Sequence, residues 1–234
     1  MFYMDWTYIY MVLPALIFSL WASARVKNVF NKYNRITNSK GITGAQAADI
    51  LLRANGINDV TISPIAGSLS DYYNPQTKEV RLSVYGSTSI AAIGVACHEI
   101  GHAIQHAEGY KPVKIRTAIV PITNFGARLS WPLIIIGFII CSMSYYSSIG
   151  ILLLYSGIIL FSFCVIFQLV TLPVEFDASK RALKGIKEIG LLDDEELDGA
   201  SKVLRAAALT YLAALAVSVA QFLRILILFS GRRD

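Results

Sequence analysis

Charge is missing from the middle of this chain: between Leu129 and Val174 there is no Lys, Arg, Asp or Glu. A soluble domain cannot bury an uncharged run of that length as one element, whereas two membrane-spanning helices need about this many residues. The spans fall near Leu129–Tyr145 and Gly150–Leu172, with Ser144-Tyr145-Tyr146-Ser147-Ser148 as the turn and its tyrosines at the interface. Cysteine is scarce as well, with three in 234 residues (Cys97, Cys141, Cys164), and their spacing excludes a disulfide framework. Histidine also occurs only three times, and all three lie between His98 and His106. Internal repeats, low-complexity runs and phosphate-cradling glycine loops are absent, which leaves no nucleotide-binding fingerprint.

What is present completes a membrane protein. Trp6–Ala24 is a third apolar span and Ala206–Phe229 a fourth, interrupted only by Arg224 near its end, where a long side chain can snorkel. Ala22-Ser23-Ala24 has the small residues of a cleavage site. The segment ahead of it, however, carries Asp5 and no Lys or Arg, so it reads as a retained anchor. Twelve Lys/Arg lie in residues 25–128 and six in 173–205, against three beyond 205 and none before the first span. By the positive-inside rule both polar regions are cytoplasmic and both termini outside, with Arg232-Arg233 running against the rule. The net charge of +5 is accounted for by a basic face against anionic lipid and needs no nucleic acid.

The polar regions carry structure of their own. Thr43-Gly44-Ala45-Gln46 has capping-box spacing and opens a short amphipathic helix that ends at Asn55-Gly56. Val60-Thr61-Ile62 predicts a strand. Tyr72-Tyr73, the turn Asn74-Pro75-Gln76-Thr77 and the alternation of Val80, Leu82 and Val84 with Arg81, Ser83 and Tyr85 predict a β-hairpin. One of its strands is either an exposed edge for an extended polypeptide or a cover for the helix that follows. Asp193 and Glu196 have N-cap and N3 spacing, so the acidic run 193–198 reads as a helix start rather than a metal site.

His98-Glu99-Ile100-Gly101-His102 supplies the chemistry. It lies in a helical run capped by Ser87-Thr88-Ser89 and closed by Gly109. Residues four apart share a helix face, so His98 and His102 can aim two imidazoles at one zinc ion while Glu99 reaches a water beside it. Such a site polarises a peptide carbonyl and supplies a base, which predicts a zinc-dependent peptidase. Gly94 and Gly101 inside this helix suggest that another backbone or the substrate comes close. Cys97 faces away from the histidines, which disfavours it as a nucleophile. A third ligand has to come from elsewhere. His106 would lie about 12 Å from His98 along a straight helix and suits a surface or supporting role better. The better candidate is Glu175, in Leu172-Pro173-Val174-Glu175-Phe176-Asp177-Ala178-Ser179, where Pro173 is expected to start a new helix running to Gly190. Asp177 could orient a ligand imidazole, although both acids also suit an ordinary helix N-terminus.

These residues resemble a family. Glu175-Phe176-Asp177-Ala178-Ser179, following His98-Glu99-Ile100-Gly101-His102-Ala103-Ile104-Gln105, is similar to the YugP-type neutral zinc metallopeptidases, which are bacterial membrane proteins. The likeness extends to the anchor, Ser70–Ser83 with Asp71 and Tyr73, the hydrophobic hairpin and Ala206–Ala214. It implies one Zn2+ per chain on His98, His102 and Glu175, with Glu99 as catalytic base and acid. A looser likeness to HtpX-type membrane peptidases departs at Ser179, where that group has aspartate; here Asp177 lies two residues earlier.

The expected class is therefore a mainly α integral membrane protein with about four transmembrane helices and a small α+β zincin-like catalytic region built from two cytoplasmic segments. Its parts are an anchor (1–24), a catalytic region with the hairpin and histidine helix (25–128), a transmembrane hairpin (129–172), a second cytoplasmic segment with the third ligand (173–205), and a last span with the tail (206–234). The expected substrate is polypeptide at the inner face of a bacterial cytoplasmic membrane, membrane-protein segments included. Tyr72, Tyr73 and Arg181 are candidates for stabilising the oxyanion. The rival reading is a non-catalytic membrane scaffold with a structural zinc site, and an intact Glu99 argues against it. The sequence leaves the oligomeric state open.

Overall fold

A computed structural model describes residues 6–143 and 148–230. Asp5, the turn residues Ser144 to Ser147 and the pair Arg232-Arg233 lie outside the described residues. A π-helical turn, Tyr8–Val12, leads into α1 (Leu13–Tyr33). Then follow α2 (Gly44–Ala54), β1 (Thr61–Pro64), β2 (Tyr72–Asn74), β3 (Glu79–Leu82), α3 (Ile90–Ala107), α4 (Lys111–Met143), α5 (Ser148–Ile189) and α6 (Asp194–Ser230). Four of these helical stretches are long and apolar enough to cross a membrane: Tyr8–Tyr33, Lys111–Met143, Ser148–Ile189 and Asp194–Phe229. The protein is a mainly α membrane protein with one small sheet.

The helices outrun the apolar spans, and here one expectation is corrected. Pro173 does not start a helix; it lies inside α5, which runs unbroken from Ser148 to Ile189. An internal proline forfeits one backbone hydrogen bond and costs about 3 kcal/mol. On its C-terminal side a buried stripe at four-residue spacing, Val174, Ala178, Ala182 and Ile186, packs the helix into the protein and offsets that cost. Likewise α4 begins at Lys111, ahead of Pro121 and Pro132, and α6 begins at Asp194, ahead of the apolar run.

The described chain forms two compact units. One draws on the chain up to Leu20, on Ile115–Leu172 and on the chain from Tyr211 onward. Its buried apolar cluster comprises Ile134, Leu154, Ile158, Phe161, Val165 and Ile225, while Ile135, Ile139, Leu152, Ile159 and Ile166 are exposed, as lipid-facing side chains would be. α4 and α5 approach backbone to backbone: a Cβ at Gly126 would stand 2.7 Å from the Leu160 carbonyl oxygen, and one at Gly157 2.9 Å from that of Ser130.

The other unit comprises Trp21–Lys114 and Pro173–Thr210. Its sheet has the order β1-β3-β2, with β1 parallel and β2 antiparallel to β3. Val80, Leu82 and Val84 point into the core as their alternation predicts, and β1 and β2 are the two edges. α2 opens on the expected capping box: Gln46 N–H donates to Thr43 Oγ1 at 3.2 Å, and Thr43 N–H to Gln46 Oε1 at 2.8 Å. The acidic start of α6 is a second capping box, in which Glu196 N–H donates to Asp193 Oδ1 at 2.8 Å and Asp193 N–H to Glu196 Oε2 at 3.1 Å.

α3 is the core of this unit, buried on nearly every face. Ser89 caps its start by accepting from Ala92 N–H at 3.1 Å. At its end Gly109, at φ +68°, lets Tyr110 N–H return to the Gln105 carbonyl at 2.9 Å, closing a Schellman motif. Gly101 answers the question of what comes close to the helix. A Cβ there would lie 2.4 Å from the Ala178 carbonyl oxygen of α5. Gly101→Ala must therefore push two backbones apart and should lower stability by about 1–3 kcal/mol. Gly86→Ala, at an exposed site where a Cβ meets nothing within 4 Å, should be close to neutral. Thermal unfolding in detergent compares the two, and equal midpoints would contradict this packing.

Candidate metal centre

The contact at Gly101 sets α3 and α5 side by side, and one turn either way along each helix brings the chemistry together. Glu175 on α5 is buried, with 2% of its surface exposed, and its carboxylate faces the two imidazoles of α3. Glu175 Oε2 lies 3.3 Å from His98 Nε2 and 3.5 Å from His102 Nε2. Ligand atoms on a tetrahedral zinc with bonds of 2.0–2.2 Å stand about 3.3 Å apart, so these separations fit that ion. The three donor atoms lie within 4.8 Å of one another, and the two imidazole rings meet edge to face at 4.9 Å. Two neutral nitrogens and a carboxylate oxygen suit zinc, and three protein donors leave a position open.

Each imidazole is held from behind. His98 Nδ1 lies 3.1 Å from Ser179 Oγ, and His102 Nδ1 lies 3.1 Å from Gln105 Oε1. The far ring nitrogens are thus engaged and both Nε2 atoms are turned toward Glu175. Asp177 does not touch an imidazole, which corrects the expectation of direct contact. It accepts from Gln105 Nε2 at 2.8 Å and so reaches His102 only through that amide. Neither Gln105 nor Ser179 was foreseen as a supporting residue. A signal was available: Gln105 is a lone amide in a buried Ala-Ile stretch three residues after His102, and Ser179 lies one turn after Glu175.

Glu99 is buried, with 8% of its surface exposed. Burial pushes its carboxyl above the ordinary range, His98 and His102 pull it back, and Glu175 and Asp71 raise it further. For His102, burial works against the charged ring, but hydrogen bonding and attraction to Glu175 outweigh that and hold its pKa above the usual value. Asp71 is itself fixed to the end of β3, accepting from Ser83 N–H and Ser83 Oγ at 2.7 Å each.

The remaining candidates are not among the grouped donors. His106 packs against Tyr73, ring centroids 5.6 Å apart, and is not among the grouped donors. Arg181 is committed to Asp177 at 2.5 Å and Glu108 at 2.6 Å and lies over the Tyr110 ring, which weakens its candidacy for the oxyanion. Tyr72 is half exposed on β2. Cys97 is fully buried in the core, and burial pushes its thiol up to about 12, so no thiolate stands beside the histidines.

Comparison with known proteins agrees with this chemistry. Residues 8–230 match the family model described as "Putative neutral zinc metallopeptidase". A Bacillus subtilis (strain 168) protein named "Putative membrane protease YugP" is 44% identical over 229 residues, covering 97% of this chain and 98% of that protein. No solved structure matches the chain. If Glu175 completes the donor set, Glu175→Ala should weaken zinc retention at least about a hundredfold, beyond what loss of an outer hydrogen bond does. Competition with a chelator measures this, and unchanged retention would move the third donor elsewhere, with His106 the first alternative to test.

Proposed function

The chain belongs to the neutral zinc metallopeptidase family, and on that premise we propose that it is a membrane-embedded peptidase holding one zinc ion on His98, His102 and Glu175. Glu99 is its catalytic base, and the substrate is polypeptide at the cytoplasmic surface of the membrane. The observation that carries this reading is the meeting of two Nε2 atoms and one buried carboxylate beside a second buried carboxylate, Glu99.

A zinc ion on these donors would supply Lewis acidity, polarising a peptide carbonyl and making a water acidic near neutral pH. The protein's own groups do the rest. His98 and His102 present Nε2 because Ser179 and Gln105 occupy their Nδ1 atoms. Glu99 takes the proton of the attacking water and returns it to the nitrogen of the leaving amine. Its burial favours the protonated form, so the carboxyl gains a proton at little cost, and the leaving amine, a far stronger base, then takes it.

The cytoplasmic side is supported by charge: twelve Lys/Arg in residues 25–128 and six in 173–205 flank the apolar runs. Glu175 stands three residues beyond Leu172 in the same helix, which supports cleavage close to the membrane surface and makes membrane-protein segments suitable substrates. α3 has buried polar neighbours and too short an apolar stretch to span, which argues against cutting within the bilayer.

Glu99→Gln separates chemistry from metal binding. The purified variant should keep its zinc and lose peptide cleavage by about 10²–10⁴-fold. Equal cleavage by the variant and the unaltered protein would remove the peptidase assignment. Comparative proteomics of membranes carrying either form should reveal substrates that accumulate only with the variant. A C-terminal tag should be reached by antibody from outside intact cells; labelling only after permeabilisation would reverse the orientation.

A further inference from the structure

Gln105 is the largest polar side chain wholly sealed in the core, with 0% of its surface exposed. Burying a primary amide is costly unless its donors and acceptor are met. Its Nε2 donates to the Val174 carbonyl at 2.8 Å and to Asp177 Oδ2 at 2.8 Å, both on α5. Its Oε1 faces His102 Nδ1 at 3.1 Å. A backbone carbonyl can only accept, so the NH2 end must point to Val174 and the amide cannot turn over. The oxygen end is therefore left for His102, and an oxygen there requires the proton on Nδ1, which leaves the Nε2 lone pair free.

Nothing comparable holds His98. Ser179 Oγ, 3.1 Å from His98 Nδ1, is a hydroxyl that can donate or accept and so imposes no proton position. Asp177, for its part, is held by Arg181, which also bridges to Glu108 at the end of α3. The chain of contacts runs Glu108, Arg181, Asp177, Gln105, His102 and returns to the helix it left.

We propose that Gln105 is a positioning residue: a buried amide, locked by Val174 and Asp177, that sets the tautomer and aim of His102 and thereby the grip of the site on its metal. This rests on the metal site proposed above and goes beyond it by assigning to one amide the polarity of one ligand. Gln105→Met keeps the side chain's length and apolar fit but removes all three hydrogen bonds. Gln105→Glu keeps an acceptor for His102 but loses both donors and faces Asp177 with like charge. Adding Asp177→Asn to Gln105→Glu restores a donor–acceptor pair with its direction reversed.

Zinc affinity, read by chelator competition on the full-length protein in detergent, should fall about 10–100-fold in Gln105→Met and in Gln105→Glu. The double variant should recover a substantial part of that loss, which a purely structural role would not produce. The chain has only three histidines, so 15N-histidine labelling of the zinc-loaded protein can resolve each ring. The His102 Nδ1–H should exchange slowly with water in the unaltered protein and fast in Gln105→Met. Zinc affinity within twofold in Gln105→Met, slow exchange retained, or no recovery in the double variant would each overturn the proposal. An unaltered protein that takes up no zinc would instead remove the metal-site reading, and this inference with it.

Discussion

Two helices pressed together without an intervening side chain are what the rest of this molecule depends on. At Gly101 the backbone of α3 approaches that of α5 so closely that a single added methyl would meet the Ala178 carbonyl. Glycine in a helix interior sacrifices about 1 kcal/mol against alanine, and here that sacrifice permits a separation no other residue allows. The same approach brings Glu175 under the two imidazoles, Ser179 behind His98 and Val174 within reach of Gln105. A wider spacing would part the buried Glu175 carboxylate from both imidazoles, which is far costlier than the glycine.

Around that contact, polar groups are arranged in closed sets rather than as scattered ion pairs. Asn38 clasps both Ile42 and the Thr88 carbonyl, fixing the loop before α2 to the start of α3. Asp71 ties the hairpin to Ser83, and Glu196 joins the start of α6 to Ser39. The exposed pairs, such as Arg53 with Asp49, add little by comparison, since solvent screens them.

Much of this was readable from residue order, because the relevant signals are local and periodic. The uncharged run, the capping boxes at Thr43 and Asp193, the alternation at Val80, Leu82 and Val84, and the paired histidines each rest on spacing within a few residues. What escaped was of two kinds. Pro173 looked like a helix start because proline fits a first turn; that the helix begins at Ser148 and continues past it into a stripe of four buried residues depends on partners distant in the chain. The support of the imidazoles was misassigned for a related reason. A carboxylate two residues after a candidate ligand suggests a direct bond to an imidazole, yet Gln105 stands between Asp177 and His102, and only packing decides which polar group comes first.

The burial of Cys97 has a bearing on which ions this centre could accept. Its sulfur neighbours His98 in the chain but belongs to the hydrophobic interior, protonated and closed off. Among the described residues the grouped donors are two imidazoles and a carboxylate, all hard or borderline, so thiophilic cations such as Cu(I) find nothing soft to hold, and oxidants meet no open thiol in the donor set through which to poison the centre.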